Sequence, residues 1–239
     1  MTTKPSDQYS KHLEIPLEVV LSTNTLLQKC IDLISVADFN LEVLAARLDR
    51  LSQHRNITSN FNKFVGTALE EHILIQIESF MALKIGIQLD PIPRGTKTQN
   101  FRFYNTQELV AESLDQSRKG AGYDILISLT GEEWESLVVV LEAKMNRNPW
   151  RPVSDRGSLN EALTPGYINR KFAPLKEYFP GRSFGYVVVA SGDAIHPTHG
   201  LQQWFVNQGG ILLPLKWTYV EFMVLIDSLI QELGWKVTK

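Results

Sequence analysis

Apolar residues fall at helical spacing in the first third of the chain and in strand-like runs through its middle. Over residues 16–55, Leu17, Val20, Leu21, Leu27, Ile31 and Ile34 share one helical face, and Leu41, Leu44, Ala45 and Leu48 share another. Asp38 is placed to cap the second of these helices. A third helix is predicted from Thr58 or Ser59 to about Leu83, with Phe61, Phe64, Val65, Ala68, Leu69, Ile73, Ile77 and Phe80 as its stripe.

The period then changes. Ile85–Leu89 reads as a short strand closed by Asp90-Pro91, and residues 91–121 are polar and irregular, with a helical turn near Glu108–Leu114. Tyr123–Leu129 and Leu137–Lys144 carry the strongest strand signals, separated by a polar turn centred near Glu133. A polar loop follows, then a helix from Pro165 to Phe179 capped by Thr164, and a buried strand at Phe184–Ser191. A short helix at Gly200–Asn207, a strand at Ile211–Leu215 and a helix at Tyr219–Leu233 close the chain. Pro214 puts that last strand at a sheet edge. The order predicts an α/β protein: a mixed sheet flanked by helices, with three strands able to form a meander, a crossover helix and a fourth strand.

Composition narrows the class. The chain has 239 residues, 44% hydrophobic and 21% charged, which is enough for a sizeable core and excludes disorder. No stretch reads as a membrane span, and the N-terminus has no apolar signal-peptide region. The single cysteine, Cys30, fits a reducing compartment, so a cytoplasmic protein is expected. The net charge is −2, yet residues 144–182 hold eight Lys/Arg against three Asp/Glu. Arg94, Lys97 and Arg102 form a second basic segment without acids. Such local concentration suits a groove that contacts phosphates, and equally suits solvated loops.

The chemistry is concentrated in the two central strands. Asp124 opens one, and Glu142 and Lys144 stand two apart at the end of the next. Alternation puts Glu142 and Lys144 on one face and Ala143 on the other. A connection centred on Glu133 pairs Asp124 with Glu142 on strands roughly 4.8 Å apart. Two carboxylates at that spacing repel unless a cation lies between them, and oxygen ligands suit Mg²⁺. Glu70, beside the apolar stripe of the third helix, is a further candidate acid, with Glu71 as its competitor. Just past the strand, Arg147, Asn148 and Arg151 surround Trp150 in a loop suited to bases or phosphates. No P-loop, dinucleotide fingerprint or nucleophile-elbow motif is present.

From about Thr58 to Ser191 the chain resembles the PD-(D/E)XK nuclease superfamily, the fold of most type II restriction endonucleases. Asp124 matches the first acid, Glu142 and Lys144 match the E-x-K, and Glu70 matches an acid that many members carry on the first core helix. Tyr123 stands where the name-giving proline would be. The resemblance implies a restriction-endonuclease-like αβββαβ core over residues 58–239, with residues 1–57 as an N-terminal helical extension. It implies a Mg²⁺-dependent endonuclease acting on double-stranded DNA, with Asp124 and Glu142 holding the metal and Lys144 assisting catalysis. Arg94, Lys97, Arg147, Asn148 and Arg151 are the expected DNA contacts. A homodimer is expected, with the leucine-rich N-terminal helices as its interface or as a DNA-recognition appendage. A structure-specific, repair or transposition nuclease, and a DNA-binding protein that kept the fold without cleavage, are the alternatives.

Overall fold

A computed structural model describes residues 13–17, 25–54, 57–58, 60–85, 103–105, 124–129, 137–145, 158–196 and 198–237. The expected DNA contacts Arg94, Lys97, Arg147, Asn148 and Arg151, together with Trp150, lie outside these residues.

Strands that are apolar on both faces must be covered on both faces. The described strands are β1 (Phe103–Asn105), β2 (Ile125–Leu129), β3 (Leu137–Lys144), β4 (Ser183–Ala190) and β5 (Ile211–Pro214), in the spatial order β1-β2-β3-β4-β5. β2 runs antiparallel to β3, whereas β1 pairs parallel with β2, and β3, β4 and β5 are mutually parallel. The sheet is thus mixed, and β5 lies at an edge, where Pro214 removes no interior ladder bond.

One face is covered by α1 (Thr25–Val36), α2 (Leu41–His54), α3 (Phe61–Ile85) and, near the C-terminus, α7 (Tyr219–Glu232). α3 is apolar around most of its circumference because it is enclosed. Phe64, Leu69, Ile73 and Ile77 are fully buried in a cluster that contains Val139 and Leu141 of the sheet, Ile34 of α1, Leu44 and Leu48 of α2 and Phe222 of α7. Leu44, Leu48 and Leu51 of α2 are thus used inside the chain. The opposite face is covered by α4 (Leu159–Ala162), α5 (Pro165–Tyr178) and α6 (Gly200–Asn207). Here Leu126, Val138, Val140 and Val188 meet Ile168, Phe172 and Leu175 of α5 and Leu201 and Phe205 of α6.

Several expectations change. Leu17 does not extend α1: with Ile15 it packs in the cluster on the α5 face of the sheet. α3 begins at Phe61, slightly later than expected, with Asn60 as its cap, its Oδ1 accepting from the N–H groups of Asn62 and Lys63. Asn40 rather than Asp38 caps α2, accepting from Val43 N at 3.1 Å, while Asp38 pairs with Lys216. Ile85 ends α3 instead of opening a strand, and the rest of that expected strand lies outside the described residues. β1 falls at Phe103–Asn105, inside the segment expected to be irregular, and it pairs parallel with β2, so β1, β2 and β3 do not form a meander. A parallel pair needs a crossover rather than a hairpin. Among the described residues no helix is long and apolar enough to cross a membrane.

Candidate active site

Ile125 pairs with Leu141, so one further step along the antiparallel register sets Asp124 against Glu142. Asp124 stands just before β2 and is fastened to β3 by its side chain. Its Oδ2 accepts the Ala143 backbone N–H at 2.9 Å and a Lys144 Nζ bond at 3.0 Å. Lys144 Nζ also lies 2.8 Å from Glu142 Oε2. One ammonium therefore joins the two carboxylates, and the pleat explains why. Glu142 and Lys144 project to the same face as Val138 and Val140, away from the Val139–Leu141–Ala143 face.

That face is the one covered by α5, which brings two further side chains to Glu142. The Tyr167 hydroxyl donates to Glu142 Oε2 at 2.9 Å, and Lys171 Nζ lies 2.9 Å from Oε1. Tyr167 and Lys171 are four apart and so share a helix face, set by Thr164, which caps α5 by accepting from Tyr167 N. The sequence reading missed both. The available signal was Lys171 itself, a charged residue inside the stripe formed by Ile168, Phe172 and Leu175.

The electrostatics follow from this enclosure. The Glu142 side chain has 0% exposure, that of Lys144 12% and that of Asp124 20%, so solvent reaches the cluster from the Asp124 side. Burial works against the Lys144 charge, but the Asp124 and Glu142 carboxylates, with Tyr167, outweigh it and hold the ammonium well above the ordinary lysine range. Lys144 therefore carries a positive charge in this arrangement. Burial, then the Glu142 charge, pushes the Tyr167 hydroxyl far up, so it stays a hydrogen-bond donor.

Comparison with family models, curated proteins and solved structures finds no match to this chain.

The structure brings Asp124, Glu142 and Lys144 together. Glu70 belongs to α3, which covers the opposite face of the sheet from Glu142 and Lys144. Its neighbour Glu71 is 1% exposed and lies 3.6 Å from Arg47 of α2, within that helical layer.

The donor set can be tested against Mg²⁺. Among the described residues no group of three or more His, Cys, Asp or Glu side chains gathers, so the oxygen donors here are the two carboxylates. Lys171 Nζ lies 2.9 Å from Glu142 Oε1, a buried oxygen that accepts no hydrogen bond among the described residues. Mg²⁺ is commonly held by one or two carboxylates, with water and substrate phosphate completing its shell. The residues fit that ion. Among the described residues, two carboxylates, Asp124 and Glu142, face two ammoniums, Lys144 and Lys171.

Proposed function

We propose that this chain is a Mg²⁺-dependent endonuclease hydrolysing phosphodiester bonds of double-stranded DNA, and that it acts as a type II restriction enzyme of the PD-(D/E)XK kind. What supports the reading is the convergence of Asp124, Glu142 and Lys144 at one end of the sheet, both carboxylates within 3.0 Å of the same ammonium. Asp124 and Glu142 would hold Mg²⁺, which when bound neutralises phosphate charge and lowers the pKa of a coordinated water. Lys144 offsets the charge that develops on the phosphoryl oxygens as the phosphorus becomes pentacovalent, and a preset charge in a partly dry site is effective there. Asp124 is held ready by the Ala143 N–H, so its orientation does not depend on the substrate. The products would be a 5′-phosphate and a 3′-hydroxyl, as the resemblance implies. Arg94, Lys97, Arg147, Asn148 and Arg151 would supply the DNA contacts, and two copies would cut the two strands.

Incubation of the purified chain with phage DNA and Mg²⁺ tests the reading. Discrete fragments are expected. A smear, or selective cutting of branched DNA, points to a repair or transposition nuclease, and intact DNA at high enzyme concentration contradicts cleavage altogether.

A further inference from the structure

We infer, on the nuclease reading above, that Lys171 and Tyr167 are positioning residues for Glu142, and that Lys171 keeps the DNA-free site from taking a divalent cation tightly. Glu142 has no exposed surface, and a carboxylate removed from water must be compensated by charge and hydrogen bonds. The compensation is divided between two elements. On Oε2, Lys144 of β3 lies at 2.8 Å and Tyr167 of α5 at 2.9 Å; on Oε1, Lys171 of α5 lies at 2.9 Å. The Lys171 ammonium also lies 5.1 Å from the centre of the Tyr167 ring, whose face favours a cation. Both α5 side chains thus fix the carboxylate from outside the strand that bears it.

Lys171 has a second effect. Its charge lies against the Glu142 oxygen that accepts no hydrogen bond, and it repels any cation approaching that carboxylate. A dication would add positive charge beside the two ammoniums that already face these carboxylates. A DNA phosphate offsets that charge, so DNA and cation should each tighten the binding of the other. A single charge a few ångströms away in a partly buried site is worth about tenfold in affinity or more.

Calorimetric titration of the full-length chain with Ca²⁺, with and without duplex DNA, reads this directly, alongside single-turnover cleavage in Mg²⁺. Lys171→Met should bind Ca²⁺ about tenfold or more tightly than wild type without DNA, and lose most of the coupling to DNA. Lys171→Arg should restore the wild-type affinity. If Lys171→Met does not fold, Lys171→Gln carries the same expectation. Tyr167→Phe leaves the charge balance intact, so Ca²⁺ affinity should hold while maximal cleavage falls about tenfold at unchanged KM for DNA. A folded Lys171→Met or Lys171→Gln with wild-type or weaker Ca²⁺ affinity overturns the inference, as does Tyr167→Phe with wild-type turnover. If the wild-type chain cuts no DNA while the Ca²⁺ pattern holds, the nuclease reading fails and the role of Lys171 stands.

Discussion

Glu142 lies on the strand that the sequence marks most clearly, yet its surroundings come from elsewhere. The Glu-Ala-Lys spacing and strand alternation suffice to put Glu142 and Lys144 on one face, and a turn centred on Glu133 suffices to bring Asp124 opposite. Tyr167 and Lys171 were not legible in this way, because nothing local to α5 says which strand residue it will cover. Their presence alters what a substitution does. Glu142→Ala leaves Lys144 and Lys171 with positive charge, little exposure and no carboxylate between them. It should cost about 3 kcal/mol or more of stability, as breaking a buried pair commonly does. Asp124, with a 20% exposed side chain, is the cleaner site for inactivation. Urea denaturation of Glu142→Ala and Asp124→Ala should show a large loss for the first and a small one for the second.

A second buried group gives a pH dependence. His72 is 1% exposed, stacked on Phe39 with ring centres 4.2 Å apart and edge-on to Trp217, and neither ring nitrogen has a hydrogen-bond partner among the described residues. Burial first, and the Lys216 charge second, lower its pKa from 6.5 to about 4. The unfolded chain therefore binds a proton at higher pH than the folded one does. Stability from this group is full above pH 6.5 and declines as the pH falls toward about 4, by about 3 kcal/mol in all. His72→Phe should flatten that part of the profile, which denaturant melts across the acid range would read. An unchanged slope in the variant would assign the acid sensitivity to other groups.

At the scale of elements, long apolar runs were legible and their ends were less so. β3 occupies the whole of the expected Leu137–Lys144, and α6 the whole of Gly200–Asn207. The cap of α2 lies two residues later than expected: Asn40 accepts from Val43 N, and Asp38 pairs with Lys216. β1 is only three residues long, too short for a periodic signal, and it is held by pairing with β2. Local chemistry does fix the start of α7. Thr218 accepts from Glu221 N and Glu221 reaches back to Thr218 N, a reciprocal capping box. Thr218→Ala should therefore cost about 1 kcal/mol, seen as a lower melting temperature with cleavage unaffected. Gly210 marks a closer constraint, since a Cβ there would lie 2.3 Å from the buried Phe205 ring. Gly210→Ala should destabilise by about 1–3 kcal/mol, and a neutral effect would mean that α6 shifts freely against β5.

For the whole molecule, the two faces of one sheet are covered differently. α3 and its covering helices build an apolar layer on one face. On the other, α5 is both core and wall of the Asp124–Glu142–Lys144 cluster, with Ile168 and Phe172 in the apolar cluster and Tyr167 and Lys171 on Glu142. The basic segments that would carry DNA flank this arrangement in the sequence. Alanine at Arg147 and Arg151 should weaken DNA binding and flatten its salt dependence by about one unit of slope per lost phosphate contact. Fluorescence anisotropy at several salt concentrations would measure both, and wild-type slopes would remove that loop from the interface.

On the proposed reading, Lys144 is a catalytic charge beside two metal-holding carboxylates. Single-turnover DNA cleavage by Lys144→Ala in Mg²⁺, beside its DNA affinity in Ca²⁺, tests this most directly. Cleavage should fall about a hundredfold or more with DNA affinity largely kept. Equal losses of affinity and cleavage would make Lys144 a phosphate-binding residue, and wild-type cleavage would contradict the assignment of the site.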